Sequence, residues 1–182
     1  MRVLGIDPGL GCTGYALVDQ DGSASDSVLV EAGAIRSNEK APLPERLVQI
    51  HREVLAVVRE FRPDALALED LYSEYRFPRT AILMAHARGA ICLAGALESV
   101  PVWSYPARQV KVAVVGHGAA SKEQVQEMVA RIFRLAKVPT PNDVADAMAI
   151  ALTAHRRGPD PGAGWMVAAG RKTSKRAADE SA

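Results

Sequence analysis

Residues 65–70 read Ala-Leu-Ala-Leu-Glu-Asp, and this stretch decides the fold class. Its first four residues are all apolar, which is typical of a β-strand that is buried on both faces. Because such a strand needs helices on both sides of its sheet, the stretch predicts an α/β architecture. Glu69 and Asp70 then stand at the carboxyl end of the strand.

The residues before this stretch predict three strands and one helix. Short turns, Asp7-Pro8-Gly9 among them, separate the strands, so we expect an antiparallel meander. The predicted strands cover residues 2–7, 13–18 and 28–35. Apolar residues then recur at helical spacing from Leu43, and this helix is expected to end near residues 61–63.

The residues after the stretch predict further helices and strands. They are a helix over 80–97, a strand over 100–105, a helix opened by a capping box at 121–124, and a final helix capped by Asn142 and running to about Arg157. The predicted fold is α/β, a mixed sheet of three antiparallel strands and then parallel strands, with helices on both faces. We expect one domain over residues 1–157 and a flexible tail over 158–182.

Composition indicates an ordinary globular protein. The chain has 182 residues, of which 48% are hydrophobic, and two cysteines that imply no disulfide framework. The amino terminus lacks the pattern of a signal peptide. The most apolar windows, residues 90–97 and 144–154, are too short to cross a bilayer. We therefore expect a cytoplasmic protein without a membrane partner.

Charge is unevenly divided along the chain. Residues 1–70 carry 7 Lys/Arg and 12 Asp/Glu, whereas residues 71–142 carry 9 and 4. An acidic first part and a basic middle are compatible with a polyanion held near a carboxylate cluster, although solvated surface charge gives the same pattern.

Four acidic residues are candidates for catalysis. Asp7 and Glu69 end two strands, and ligands of open α/β sheets bind beyond such carboxyl ends. Asp143 and Asp146 lie three apart in the first turn of the final helix, so both can point to one side. Taken singly, each acid is explained by a turn, a strand end or a helix dipole. Taken jointly, the four acids favour a catalytic role.

Converging carboxylates repel one another, and hard divalent cations relieve that repulsion. Mg²⁺ is usually held by a few carboxylates together with substrate phosphate oxygens. Two ions about 3.5–4 Å apart can promote an in-line displacement at phosphorus. The acids therefore predict phosphodiester hydrolysis with two Mg²⁺ ions, for which Mn²⁺ is expected to substitute.

The same residues carry a resemblance to the RuvC family of Holliday-junction resolvases. The motifs run in order from residue 1 to about 155. They are Gly5-Ile6-Asp7-Pro8-Gly9 with Thr13-Gly14-Tyr15, then Ala67-Leu68-Glu69-Asp70-Leu71-Tyr72, then Ala107-Arg108-Gln109-Val110-Lys111 with Val115-Gly116 and Ser121-Lys122-Glu123-Gln124-Val125, and last Asp143-Val144-Ala145-Asp146-Ala147-Met148-Ala149-Ile150-Ala151.

The resemblance implies a ribonuclease-H-like fold and a homodimer that nicks a four-way DNA junction symmetrically, in recombination and repair. It implies a RuvA–RuvB branch-migration complex as partner. By position, the metal-binding and catalytic acids would be Asp7, Glu69, Asp143 and Asp146.

The resemblance also implies a DNA-binding set. Arg108, Lys111 and Lys122 would lie near the scissile phosphate or along the DNA backbone. Tyr72 would stack at the point of strand exchange, with Tyr75 and Arg76 in the same aromatic and basic loop. The choice of stacking residue among Tyr72, Tyr75 and Phe77 is left open.

Three other functions fit parts of the sequence. One is a related nuclease acting on RNA or RNA–DNA hybrid, because carboxylates do not distinguish these substrates. Another is a non-catalytic junction-binding module. The third is an actin-like kinase or ATPase, which residues 5–14 resemble, but that fold needs two such domains.

Overall fold

A computed structural model describes residues 1–20, 27–70 and 78–159. In chain order the elements are β1 (Val3–Asp7), β2 (Cys12–Gln20), β3 (Ser27–Arg36), α1 (Leu43–Phe61), β4 (Ala65–Glu69), α2 (Pro78–Leu97), β5 (Val102–Tyr105), α3 (Ala107–Val115), α4 (Lys122–Ile132) and α5 (Asn142–Arg157). These elements belong to a single layered structure, with helices on both faces of one sheet.

The sheet has five strands in the order β3-β2-β1-β4-β5. β1, β2 and β3 pair as an antiparallel meander. β4 pairs parallel with β1 on one side and with β5 on the other. Parallel pairing brings the carboxyl ends of β1 and β4 to the same edge, where Asp7 and Glu69 end their strands.

Side-chain alternation divides the core between the two faces of the sheet. Val3 of β1 and Ala67 of β4 pack with α3, α4 and α5. Leu4 of β1 and Leu66 and Leu68 of β4 pack with α1 and α2 on the opposite face. A strand can be apolar at every position because each of its faces meets a helical layer.

Two glycines allow α5 to lie directly on the sheet. A Cβ atom at Gly5 would stand 2.4 Å from the backbone oxygen of Ala147 and 2.4 Å from the backbone nitrogen of Ala151. A Cβ atom at Gly14 would stand 2.0 Å from the backbone oxygen of Asp143. Only glycine permits this approach, which brings the first turn of α5 to the carboxyl end of β1.

The structure corrects two sequence predictions around the helices. Residues 107–115 form helix α3, which the sequence analysis did not assign. Asn142 does not cap the final helix: it is the first residue of α5, Pro141 precedes it, and no side chain caps the first turn. The capping box is confirmed, since Ser121 and Gln124 exchange side-chain to backbone hydrogen bonds.

Helix α2 contains a longer apolar segment than the windows at residues 90–97 and 144–154, which were predicted to be too short to cross a bilayer. Residues Arg79–Leu97 are long and apolar enough to span a membrane, by length and composition only. A core helix passes the same test, and Ala87, Ile91 and Ala94 do lie in the core. However, only 28% of the segment is buried, so α2 also presents apolar side chains to the surface.

Candidate metal-dependent active site

Alternation along the strands directs Asp7 and Glu69 to the same face of the sheet. Side chains two residues apart on a strand point to the same face, so Asp7 points to the face of Val3 and Gly5, and Glu69 points to the face of Ala67. Helix α5 covers this face. Both acids are partly buried at the carboxyl ends of neighbouring parallel strands. Their proximity therefore follows from strand register.

Helix α5 brings the other two acids to the same place. Asp143 and Asp146 lie one turn apart at its amino-terminal end, and Gly14 of β2 lets that end approach the sheet. All four acids line one cavity of about 880 Å³. The structure thus brings together four carboxylates from three elements that are distant in sequence.

The four acids share a cavity but do not yet form a ligand set. Within residues 1–20, 27–70 and 78–159, no three Asp, Glu, His or Cys side chains stand in an arrangement ready to hold a metal ion. Electrostatic coupling nevertheless links Asp7 to the other three acids.

The pKa of Asp7 is raised because its carboxyl group is largely buried and the other three acids lie close to it. Burial, followed by the charges of Asp146, Asp143 and Glu69, raises the pKa of Asp7 from 3.8 to about 7. Burial and the charge of Asp146 also raise the pKa of Glu69 above its ordinary value. Near pH 7 the carboxyl group of Asp7 is therefore protonated in a substantial fraction of molecules.

Lys122 supplies one positive charge to this cavity. Its Nζ atom lies 2.6 Å from Oδ2 of Asp146. Burial alone would lower the pKa of Lys122, but the hydrogen bond and charge of Asp146, with the charges of Asp7 and Asp143, raise it. A cation in the first turn of α4 opposes the helix dipole, and the carboxylates explain its position.

The other predicted DNA-binding residues fall into three groups. Lys111 of α3 lines the same cavity as the acids. Arg108 lies one turn earlier, exposed beside Gly118 and outside that lining. Tyr72, Tyr75 and Arg76 lie outside the described residues, as does Phe77.

Cys12 is a residue of this site that the sequence did not predict. Cys12 lines the cavity, and its thiol is hydrogen-bonded to Asp143. Burial, followed by the charge of Asp143 and this hydrogen bond, raises the pKa of the thiol. A neutral Cys12 thiol is therefore a weak donor to Asp143. No sequence pattern around residue 12 signalled this contact.

The donor set fits a hard divalent cation. It offers carboxylate oxygens, which Mg²⁺ and related ions prefer, in a cavity wide enough for phosphate oxygens and water as well. The raised pKa values of Asp7 and Glu69 are the physical sign of a surplus of negative charge. Together, the mixed sheet and the carboxylates at one end of it define a divalent-metal-dependent nuclease of the ribonuclease-H-like class.

Comparison with known proteins identifies the family within this class of nucleases. The model of the family described as crossover junction endodeoxyribonuclease RuvC matches residues 3–155. A relative of that name from Rhodopirellula baltica is 50% identical over 153 residues, covering 84% of this chain and 85% of the relative. The relative from Brevibacillus brevis is 43% identical, with 84% and 90% covered.

Solved structures agree with the family match. Thermus thermophilus RuvC in complex with a Holliday junction substrate superposes with a TM-score of 0.78 at 40% identity, covering 84% of this chain and 92% of that one. The yeast mitochondrial Holliday junction resolvase Ydc2 superposes with a TM-score of 0.60 at 14% identity, which shows a shared fold.

The chain therefore belongs to the RuvC family of crossover junction endodeoxyribonucleases. The predicted family, fold class and type of enzyme are confirmed. The roles assigned to individual site residues stay predictions.

Proposed function

We propose that this protein resolves four-way DNA junctions by symmetric hydrolysis of phosphodiester bonds with two Mg²⁺ ions per active site. The observation that carries this proposal is the convergence of Asp7, Glu69, Asp143 and Asp146 on one cavity. Membership of the RuvC family supplies the substrate class, since a relative's structure is described as a complex with a Holliday junction substrate.

The four carboxylates are the proposed metal ligands. Asp7 couples electrostatically to each of the other three acids, so it is the proposed ligand common to both ions. When bound, the two ions would activate a water and stabilise the leaving oxygen of an in-line displacement. Cation binding would also keep Asp7 and Glu69 ionised at neutral pH, because it offsets the repulsion that raises their pKa values.

The basic residues are proposed to position the DNA. Lys111 and Lys122 line the carboxylate cavity, and Arg108 lies one helical turn from Lys111. Cations here would hold a scissile phosphate against the acids and add salt-dependent affinity. Lys122 contacts Asp146, so it would exchange this carboxylate for a phosphate oxygen when metal and DNA bind.

Helix α2 supports the homodimer that symmetric nicking requires. One stripe of α2, opposite its core face, is exposed and almost wholly apolar. The stripe consists of Ile82, Ala85, His86, Gly89, Leu93, Ala96 and Leu97. Its large members Ile82, Leu93 and Leu97 are 58%, 53% and 60% exposed. We infer that this α2 stripe packs against its counterpart in a second subunit, because isologous contact buries both copies.

Replacing Asp7 by Asn tests the nuclease assignment. The variant removes one charge from the proposed metal ligands while keeping the side chain's size. We expect cleavage of a four-way junction to fall at least about 10²–10³-fold while junction binding stays within a few fold. Strand cleavage in Mg²⁺ and gel-shift binding in Ca²⁺ measure the two properties separately.

Asp64→Asn is the matched control. Asp64 lies at the opposite end of β4, where its carboxylate accepts a hydrogen bond from the Arg2 backbone nitrogen. This variant should cut at the parent rate. Wild-type cutting by Asp7→Asn would overturn the assignment of Asp7, and equal cutting of linear duplex or RNA–DNA hybrid would overturn the substrate assignment.

Two further expectations remain, the first from the family resemblance and the second from the composition of the sequence. They are association with a RuvA–RuvB branch-migration complex and a cytoplasmic location. Both stay predictions, and copurification with those partners tests the first.

A further inference from the structure

Arg88 is the one charged residue among Lys, Arg, Asp and Glu in residues 80–97. It lies in the middle of α2 and is only 3% exposed. A guanidinium cannot be deprotonated in a protein, and a buried one is strongly destabilising unless it is paired. Because Arg88 is buried in an otherwise apolar helix, its guanidinium needs hydrogen-bond acceptors or a carboxylate nearby.

Those partners are at the carboxyl ends of β4 and β5. Nη1 of Arg88 donates to the backbone oxygen of Glu69 at 2.5 Å, and Nη2 donates to Oγ of Ser104 at 2.6 Å. Ser104 in turn donates to Oδ1 of Asp70, which lies 3.9 Å from Nη2. One guanidinium thus connects α2 to two neighbouring strands.

Alternation explains why this network lies behind the active site. Asp70 lies two residues after Leu68, so it is on the same face of the sheet as Leu68, which packs against α1 and α2. Ser104 is the register partner of Leu68. The backbone of Glu69 is therefore held from the α2 side, while its side chain points to the cavity on the α5 side.

We propose that Arg88 is a positioning residue for metal binding: it fixes the carboxyl end of β4 and so the direction of the Glu69 carboxylate. Arg88 is not among the residues that line the cavity, and it acts through the Glu69 backbone, Ser104 and Asp70. This inference rests on the proposed function, because it assumes that Glu69 is a metal ligand. Partners of this indirect kind typically change metal affinity by about 10–100-fold.

Replacing Arg88 by Met tests the proposal, with Mn²⁺ alone as the probe. Met retains an apolar stem of similar length but donates no hydrogen bond. We expect Mn²⁺ binding, measured by electron paramagnetic resonance on the DNA-free protein, to weaken about 10–100-fold. Junction binding in Ca²⁺-free buffer should stay within a few fold, and cleavage should recover partly as the Mn²⁺ concentration rises.

Two other variants separate positioning from folding. Arg88→Lys keeps the charge but cannot reach both Glu69 and Ser104, so its Mn²⁺ affinity should lie between that of the parent and that of Arg88→Met. Ser104→Ala keeps Arg88 and its hydrogen bond to the Glu69 backbone oxygen, but removes the hydrogen bonds of the Ser104 hydroxyl with Arg88 and with Asp70. It should therefore weaken Mn²⁺ binding several fold even if Arg88→Met fails to fold. Parent-like Mn²⁺ affinity of folded Ser104→Ala and Arg88→Lys would overturn the proposal.

Arg59→Met and Asp7→Asn complete the set. Arg59 is exposed on α1 and pairs with Glu98 at 2.8 Å, remote from the cavity, so its replacement should leave Mn²⁺ affinity unchanged. If Asp7→Asn weakens Mn²⁺ binding and Arg88→Met does not, the positioning role alone is wrong. If neither weakens it, the proposed metal site is wrong.

Discussion

At the scale of single residues, Asp7 shows what a crowded site does to a carboxylate. Burial and three neighbouring acids raise its pKa to about 7. The folded state without metal therefore disfavours ionised Asp7, whereas the unfolded chain ionises it near pH 3.8. The proposed role of Asp7 as a metal ligand opposes stability, because the repulsion that would favour a bound cation strains the metal-free fold.

The effect of Asp7 on stability can be measured by comparing the free energies of unfolding of Asp7→Asn and the parent at different pH values. A raised folded-state pKa contributes stability that is present below about pH 4 and lost as pH rises through about 7. At pH 8 in EDTA we expect Asp7→Asn to be more stable than the parent by on the order of 2–4 kcal/mol, with little difference at pH 4. Calorimetry across this pH range measures the effect.

Glu127→Gln is the control for that experiment. Glu127 is exposed on α4, so removing its charge should change the free energy of unfolding by less than about 0.5 kcal/mol. A less stable Asp7→Asn at pH 8 without metal would show that the neighbouring acids do not strain Asp7.

At the scale of elements, the contact of α5 with the sheet sets the geometry of the site. The contact needs glycine at positions 5 and 14, since a Cβ there would collide with the α5 backbone. The glycines of the first strands look like ordinary turn and strand residues in the sequence. Their role, to let α5 pack directly on the sheet, is visible only in the tertiary structure.

Replacing Gly5 by Ala tests that contact. The new Cβ would lie 2.4 Å from backbone atoms of Ala147 and Ala151, so α5 must move. We expect a loss of about 1–3 kcal/mol or more in the free energy of unfolding, measured in urea, and a fall in cleavage because Asp143 and Asp146 move with the helix. Gly11→Ala is the control, since its Cβ would meet only side-chain atoms at 3.4 Å or beyond. A neutral Gly5→Ala would contradict the close packing of α5.

At the scale of the whole molecule, α2 relates the core, the active site and the proposed second subunit. Ala87, Ile91 and Ala94 pack in the core, Arg88 reaches the end of β4, and the α2 stripe faces outward. The helix is apolar nearly all round, so its amphipathic periodicity is weak and its sequence alone does not show which side meets the sheet.

Replacing Leu93 by Glu tests the dimer. A charge from each subunit at an isologous apolar contact should weaken dimerisation about 100-fold or more, because each leucine contributes roughly 1.5–3 kcal/mol on burial. Light scattering after gel filtration measures the mass, and coupled nicking of both strands should be lost with it. Val48→Glu is the control, because Val48 is 56% exposed on α1 outside the stripe. A dimeric Leu93→Glu would place the interface elsewhere.

Much of the fold was predictable because it depends on local pattern. The meander, α1 and β4 were each placed within a few residues, since alternation and helical spacing are properties of short segments. Helix α3 escaped prediction because its nine residues follow Pro106 with a short apolar pattern that also suits a strand. The bounds of α2 were predicted within two residues, but its suitability in composition for a membrane span was missed, because its apolar residues are spread over the whole helix.

The sequence by itself determined the strand and helix pattern apart from α3, and it singled out the four acids, because each acid stands at the end of an element that local periodicity defines. Tertiary structure decided which groups meet: Lys122 with Asp146, Cys12 with Asp143, and Arg88 with the end of β4. These contacts join residues far apart in the chain, so they depend on how helices cross the sheet. Local propensity contains no information about such crossings, and it also did not show that the parallel register of β1 and β4 directs Asp7 and Glu69 to one face.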